Sequence, residues 1–162
     1  GGAYQVTNAL TAIETLTCAG VTPAHIAMGI ERARIPARME LLPGDILLDG
    51  GHNPQAARAV RSALEDSGYE RRTAFIGMMN TKDHRAFLQE ILPCFDRVYF
   101  CDGFSEGEVP AEELRRISGL DGAEIFHSPR EALKFARRDH EGGLMYFGGS
   151  FYFAAAVREY LV

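Results

Sequence analysis

Ile46-Leu47-Leu48-Asp49-Gly50-Gly51-His52-Asn53-Pro54 is the stretch from which the rest of the chain can be read. A short apolar run ends in an aspartate, two glycines turn the backbone, and Asn53-Pro54 opens a helical pattern. Asn53 suits a helix N-cap, because its side-chain oxygen accepts from the exposed amides of a first turn. Pro54 suits the first helical position, where a missing N–H costs nothing. Strand, polar turn and helix thus follow one another directly. In open α/β sheets, ligands bind beyond the carboxyl ends of the strands, and this turn is such an end.

The same unit repeats downstream. Strand-like apolar runs begin near Ile46, Thr73, Arg97, Ala123 and Leu144, spaced 27, 24, 26 and 21 residues apart. Helical patterns fill the gaps. They cover 54–67 (Ala56, Val60, Ala63, Leu64), 83–92 (Phe87, Leu88, Ile91) and a segment opened by Pro110 (Leu114, Ile117). Two more cover 129–138 (Leu133, Ala136) and 150–161 (Phe151, Ala154, Ala155, Val157, Leu161). Alternation at this spacing predicts a three-layer, Rossmann-like α/β domain with a mostly parallel sheet and helices on both faces. No G-x-G-x-x-G follows a strand and no G-x-x-x-x-G-K-[ST] occurs. A nucleotide bound here therefore needs another element for most of its phosphate contacts.

Upstream the pattern differs. Val6, Ala9, Leu10, Ile13, Leu16 and Thr17 recur at helical spacing until Gly20, and Thr22-Pro23 opens a second helix carrying Ile26, Ala27 and Ile30. No strand alternates with them, so residues 1–33 read as a short α-helical remnant of an upstream domain. Pro36 ends any helix. Residues 34–44 then read as an interdomain linker running into a short strand near Met39 to Leu42, turned by Pro43-Gly44. Residues 45–162 form the α/β domain. The opening Gly1-Gly2-Ala3-Tyr4-Gln5, without a methionine, reads as mid-protein sequence.

The chain has 162 residues, 46% of them hydrophobic, which suits one globular core. A net charge of −5 argues against nucleic acid or an anionic membrane as the main partner. Arg71-Arg72, Arg115-Arg116 and Arg137-Arg138 read as solvated element ends. No run approaches a membrane span of about 18 apolar residues, and no signal peptide opens the chain. Cys18, Cys94 and Cys101 show no metal-like or CxxC spacing. They read as reduced thiols of a cytoplasmic protein, with Cys18 and Cys101 expected in cores.

Several polar residues fall where chemistry is possible, each with a plainer alternative. Asp49 either accepts from ribose hydroxyls or caps its own turn. His52 either faces the same crevice or packs in the loop. Gly148-Gly149-Ser150 brings Ser150 to a helix start that favours an anion, unless Ser150 is only a cap. Lys82 and Asp83, after Met78-Met79-Asn80-Thr81, either pair or begin the next helix. Arg38 is either solvated or offers its planar fork to a nucleotide phosphate or a ring face. Gln5 and Asn8 share a helix face, where their amides suit a purine edge or simple helix-start capping.

Leu48 to Pro54 resembles the D-G-A-H-N-P signature of folylpolyglutamate synthase and the related dihydrofolate synthase, in the Mur ligase superfamily. Gly2-Ala3-Tyr4-Gln5-Val6-Thr7-Asn8-Ala9 resembles the G-x-Y-Q-x-x-N-A helix that ends the family's central ATPase domain. Pro36-Ala37-Arg38-Met39-Glu40 is similar to its P-G-R-x-E linker, with Ala37 in place of glycine. Gly77-Met78-Met79-Asn80-Thr81-Lys82-Asp83 looks like G-M-x-x-D-K-D, with Asn80 in place of the usual aspartate. Gly148-Gly149-Ser150-Phe151-Tyr152 looks like the terminal G-S-x-Y segment.

The resemblance implies part of an ATP-dependent amide ligase. Such an enzyme phosphorylates a folate or dihydropteroate carboxylate and lets the L-glutamate amine attack the acyl phosphate, with Mg2+ on the ATP phosphates. It implies Asn8 and Gln5 at adenine, Asp49 at the ribose and Arg38 at the nucleotide. It implies His52, as catalytic and binding residue, and Ser150 toward the glutamate. The phosphate loop and metal ligands would belong to the N-terminal and central domains of the same polypeptide, so this chain itself holds no metal and should not turn over alone. A cytoplasmic monomer is expected. The alternatives are a related Mur-type ligase with another acceptor, or a non-catalytic α/β module binding an acidic ligand.

Overall fold

The computed structural model describes residues 3–139 and 141–161, with side chains from residue 6 onward. It divides into two compact units, residues 1–35 and 36–162.

The first unit is a helix pair, α1 (Ala3–Cys18) and α2 (Pro23–Arg32). The Thr22 hydroxyl oxygen accepts from the His25 amide at 3.4 Å, and Pro23 takes the first helical position, so α2 starts where its sequence dictates. Of the described side chains here, Ile26 is buried, while Val6, Leu10, Ile13 and Leu16 are exposed. Cys18 is exposed as well, against the expectation of a core position. It is the last residue of α1, and a pair of helices has too little depth to enclose it.

The second unit runs β1 (Glu40–Leu42), β2 (Ile46–Asp49), α3 (Pro54–Glu65), β3 (Arg72–Ile76), α4 (His84–Ile91) and β4 (Arg97–Cys101). It continues with α5 (Ala111–Ser118), β5 (Ile125–Phe126), α6 (Pro129–Arg138), β6 (Leu144–Gly148) and α7 (Phe151–Arg158). The six strands lie in the order β1-β2-β6-β3-β4-β5. Only β1 is antiparallel, paired to β2 through the Pro43-Gly44-Asp45 turn; the other pairings are parallel. Gly44 and Asp45 both hold positive φ, at 83° and 57°, which reverses the chain tightly.

Successive strand residues point to opposite faces. Leu47, Ile76 and Tyr146 pack with Val60, Leu64, Phe87 and Leu114 beneath α3, α4 and α5. Leu48, Phe75 and Phe147 pack with Leu133, Phe153 and Val157 beneath α6 and α7. Every residue of β2 and β6 is buried, as expected of parallel strands covered on both sides. Phe75 stacks between Tyr99 (4.9 Å between centroids) and Phe147 (4.6 Å), which joins β4, β3 and β6 across one face. Burial of each such ring stabilises by roughly 1.5–3 kcal/mol. Among the described residues, no helix is long and apolar enough to cross a membrane.

Three local expectations shift. β5 starts at Ile125 rather than Ala123, because the Ala123 amide closes a turn on the Leu120 carbonyl. Ala57, not Ala56, lies fully buried under α3. In α7, Phe153 fills the core at 0% exposure and Phe151 is 44% exposed, since the helix begins at Phe151 and turns that residue outward.

The helix after β2 covers one face and the helix after its neighbour β6 covers the other. Adjacent strands that lead to opposite faces open a crevice at their carboxyl ends. Gly50 to His52 and Gly149-Ser150 are the turns at that crevice.

Candidate functional site

Local chemistry sets the two helix starts. The Asn53 side chain accepts from the Ala56 amide at 2.8 Å, with Pro54 opening α3. Ser150 Oγ accepts from the Tyr152 amide at 3.1 Å and is buried. Gly149 precedes it at φ 96°, a conformation side chains disfavour. Asp49 pairs with Gly148 in the sheet register, so the two turns are neighbours. They touch: a Cβ on Gly50 would lie 2.5 Å from Phe151 Cδ2.

Asp49 is 3% exposed. One carboxylate oxygen accepts from the Gly51 amide at 2.8 Å, the other from the Met39 amide at 3.0 Å. Burial pushes its carboxyl above the usual aspartate range, against the opposing pull of those two amides and of the Arg38 charge. The turn-capping alternative therefore holds, and the cap extends to the linker. Each oxygen keeps a further lone pair for a ligand hydroxyl.

The linker is tied down at three points. The Gly50 amide donates to the Ala37 carbonyl at 2.7 Å, Met39 is held by Asp49, and the Ala37 amide donates to Glu40 Oε2 at 2.8 Å. Arg158 of α7 donates from Nε to both Glu40 oxygens, at 3.1 and 3.0 Å. Ala37 and Met39, on either side of Arg38, both adopt left-handed φ, 53° and 50°. Each such residue costs roughly 1–2 kcal/mol, which the carboxylate–amide bonds offset. The alanine that replaces the linker's usual glycine is thus held where glycine would sit freely. Between them Arg38 is exposed, its guanidinium 5.8 Å from the Phe151 ring centroid.

His52 is half-buried, with Nδ1 3.3 Å from the Gly50 carbonyl. A carbonyl only accepts, so Nδ1 carries the proton and Nε2 stays available. At the end of β3, Asp83 caps α4 by accepting from the Ala86 amide at 3.0 Å, which decides for the helix-start alternative. Lys82 beside it is half-buried and has no ion pair among the described residues.

Arg38, Asp49, His52 and Ser150 therefore gather at one sheet edge. Asn8 lies exposed on α1 in the other unit, and the Gln5 side chain is outside the described residues. Glu40 was legible only as the last residue of the P-G-R-x-E resemblance; its pairing with Arg158, across 118 residues, has no local signal. Among the described residues, only Asp102, Glu112 and His127 bring three metal-ligating side chains together, at the far strands β4 and β5. Asp102 is already bonded there to His127 and to the Ala111 amide. None of the gathered site residues belongs to such a group.

A three-layered αβα unit with its polar turns at this switch point is the architecture of a Mur-type ligase domain. Residues 37–151 match the family described as Mur ligase, glutamate ligase domain, and the chain belongs to that family. Among similar proteins, the folylpolyglutamate synthase of Lacticaseibacillus casei is 29% identical over 175 residues, covering 99% of this chain and 39% of that protein. A probable bifunctional folylpolyglutamate synthase/dihydropteroate synthase of Halobacterium salinarum is 34% identical over 125 residues, 75% of this chain and 15% of that protein. Among solved structures, E. coli FolC in complex with DHPP and ADP superposes with a TM-score of 0.85 at 28% identity. That match covers 94% of this chain and 38% of the FolC chain. The chain thus spans at most about two fifths of the length of these relatives.

Proposed function

We propose that the chain is the glutamate-side part of an ATP-dependent amide ligase that joins L-glutamate to a folate or dihydropteroate carboxylate. Family membership and the relatives' folate-ligase names support the reaction class. In this reading residues 1–33 close the central ATPase domain, residues 34–44 are the linker and residues 45–162 the glutamate ligase domain. The remaining domains of the same polypeptide supply the phosphate loop and the Mg2+ ligands. The whole protein works as a cytoplasmic monomer.

The observation that carries the reading is that the turn bearing His52 adjoins the α7 start at the switch point, Gly50 lying against Phe151. Transfer requires the glutamate amine to attack the acyl carbon: a C–N bond forms, the C–O bond to phosphate breaks, and the amine loses a proton. With Nδ1–H engaged on Gly50, His52 presents Nε2 to accept that proton. The amides and dipole of the α7 start hold the amino acid's carboxylate beside Ser150. Lys82, half-buried and without an ion pair among the described residues, suits the second carboxylate. Arg38 reaches the nucleotide phosphates, Asp49 takes ribose hydroxyls on its free lone pairs, and Asn8 and Gln5 read adenine.

The test is turnover of the full-length protein with ATP, glutamate and a folate, read as phosphate release and glutamylated product. Unchanged turnover in both His52→Ala and Asp49→Asn makes the site assignment wrong. Turnover with a muramoyl nucleotide instead of folate makes the acceptor wrong.

A further inference from the structure

Arg38 is presented by a bracket of unusual construction. The residues on both sides of it sit in left-handed backbone, and the amide of each is gripped by a carboxylate from elsewhere: Ala37 by Glu40, Met39 by Asp49. Asp49 is anchored by its place at the end of a buried strand. Glu40 lies at the edge strand and owes its position to Arg158, the last residue of α7, which donates to both of its oxygens. The pair is largely sheltered, with side-chain exposures of 32% for Arg158 and 19% for Glu40. Arg158 belongs to α7, the helix whose first residue, Phe151, underlies the Arg38 guanidinium. One end of α7 therefore fixes the backbone that carries Arg38, and the other end fixes its side chain.

We propose that Glu40 is a positioning residue that sets Arg38 for the nucleotide, acting through the Ala37 amide and anchored to α7 by Arg158. The proposal rests on the reading of Arg38 as a nucleotide-binding residue. A carboxylate is needed because Oε2 accepts from Ala37 and Arg158 together while Oε1 accepts from Arg158 as well, which anchors the group that grips Ala37. A carboxamide at the same place offers one oxygen and turns donor hydrogens toward a donor. Losing the grip leaves Ala37 free to abandon its left-handed conformation, and Arg38 then leaves the Phe151 ring. Arg38 itself remains in the chain, so the loss is one of orientation.

The experiment uses the full-length protein and compares wild type, Glu40→Gln, Arg38→Ala and the double variant. KM for ATP, KM for glutamate and kcat are measured, together with limited trypsin cleavage followed by mass spectrometry. Glu40→Gln is expected to raise KM for ATP by about tenfold, the scale of one hydrogen bond to a charged group. KM for glutamate should stay constant. The double variant should be no worse than Arg38→Ala alone, because Glu40 acts through Arg38. Trypsin should cut after Arg38 faster in Glu40→Gln, with cleavage after Arg34 unchanged.

Additive effects in the double variant overturn the proposal, since Glu40 then acts on something other than Arg38. Unchanged cleavage after Arg38 in Glu40→Gln overturns it too. If Arg38→Ala raises KM for ATP but Glu40→Gln does not, the positioning role alone falls. If Arg38→Ala leaves KM for ATP unchanged, the nucleotide reading of Arg38 falls and takes the proposal with it.

Discussion

The Asp49 carboxylate accepts from the Met39 amide at 3.0 Å, which fastens the end of the first parallel strand to a linker residue ten positions earlier. The other oxygen holds the Gly51 amide, so one buried side chain satisfies a buried and a half-buried backbone donor. Asp49→Ala leaves both without a partner. An orphaned buried donor costs about 1–3 kcal/mol and the half-buried Met39 amide less, so the loss should be about 1–4 kcal/mol in urea unfolding. Asp49→Asn keeps one acceptor and should cost about half as much. An Asp49→Ala loss below about 1 kcal/mol would mean that water or a shifted backbone replaces the latch.

Gly51 stands where the resembled D-G-A-H-N-P signature has alanine. Its φ is not positive, so the reason for glycine is space. A Cβ there lies 2.5 Å from Asp49 Oδ1 and 2.8 Å from the Ala56 Cβ. Gly51→Ala should push the carboxylate off the Gly51 amide and lower stability by about 1–3 kcal/mol, the usual cost of overpacking. Combined with Asp49→Asn the two losses should be less than additive, because both act on the same contact. Strict additivity in denaturant midpoints would refute the shared contact.

These contacts also mark the boundary of what the sequence reveals. Asn53, Pro54, Thr22 and Asp83 were legible because a cap and its helix lie within a few residues of one another. The parallel sheet was legible from the spacing of its apolar runs. Phe151 and Phe153 were not separable by pattern alone: both are apolar, and the single turn that sends one to the core and the other to Arg38 depends on where α7 starts. The Glu40–Arg158 pair and the Met39 latch depend on strand order, which brings residues 118 and ten positions apart into contact. The gathering of Arg38 with Asp49, His52 and Ser150 was expected from motif resemblance. The same resemblance names Glu40, but not that its carboxylate grips the Ala37 amide or pairs with Arg158.

Glu40 and Asp49 should impose opposite pH dependences. Burial raises the Glu40 carboxyl, but the Arg158 hydrogen bond, the Ala37 amide and the Arg158 charge outweigh it and hold the group below its ordinary 4.5. The unfolded chain then binds the extra proton, so Glu40's contribution is fully present above about pH 4.5 and is lost as pH falls through its lowered folded value. Asp49 is raised above its ordinary 3.8, so its effect runs the other way: stability falls as pH rises from there through the folded value. Wild type should exceed Glu40→Gln in urea stability by about 1 kcal/mol at pH 7. That gap should close on acidification below pH 4.5. A gap that persists at low pH points to packing and not to charge.

His52 offers the cleanest separation of catalysis from stability. It is half-buried in the turn, and its one side-chain bond among the described residues, to the Gly50 carbonyl, is 3.3 Å long. Little of the fold depends on it, so His52→Ala should change unfolding free energy by no more than about 0.5 kcal/mol. A general base that takes the amine proton contributes about 10²–10⁴-fold, so kcat of the full-length protein should fall by that factor. KM for ATP should stay within about twofold, because in the proposed site His52 serves the amino acid and not the nucleotide. Partial recovery of rate at higher pH in His52→Ala follows from the same role, as the glutamate amine then arrives already deprotonated. A kcat unchanged in His52→Ala, with stability intact, removes His52 from the chemistry and leaves the α7 start to hold the amino acid alone.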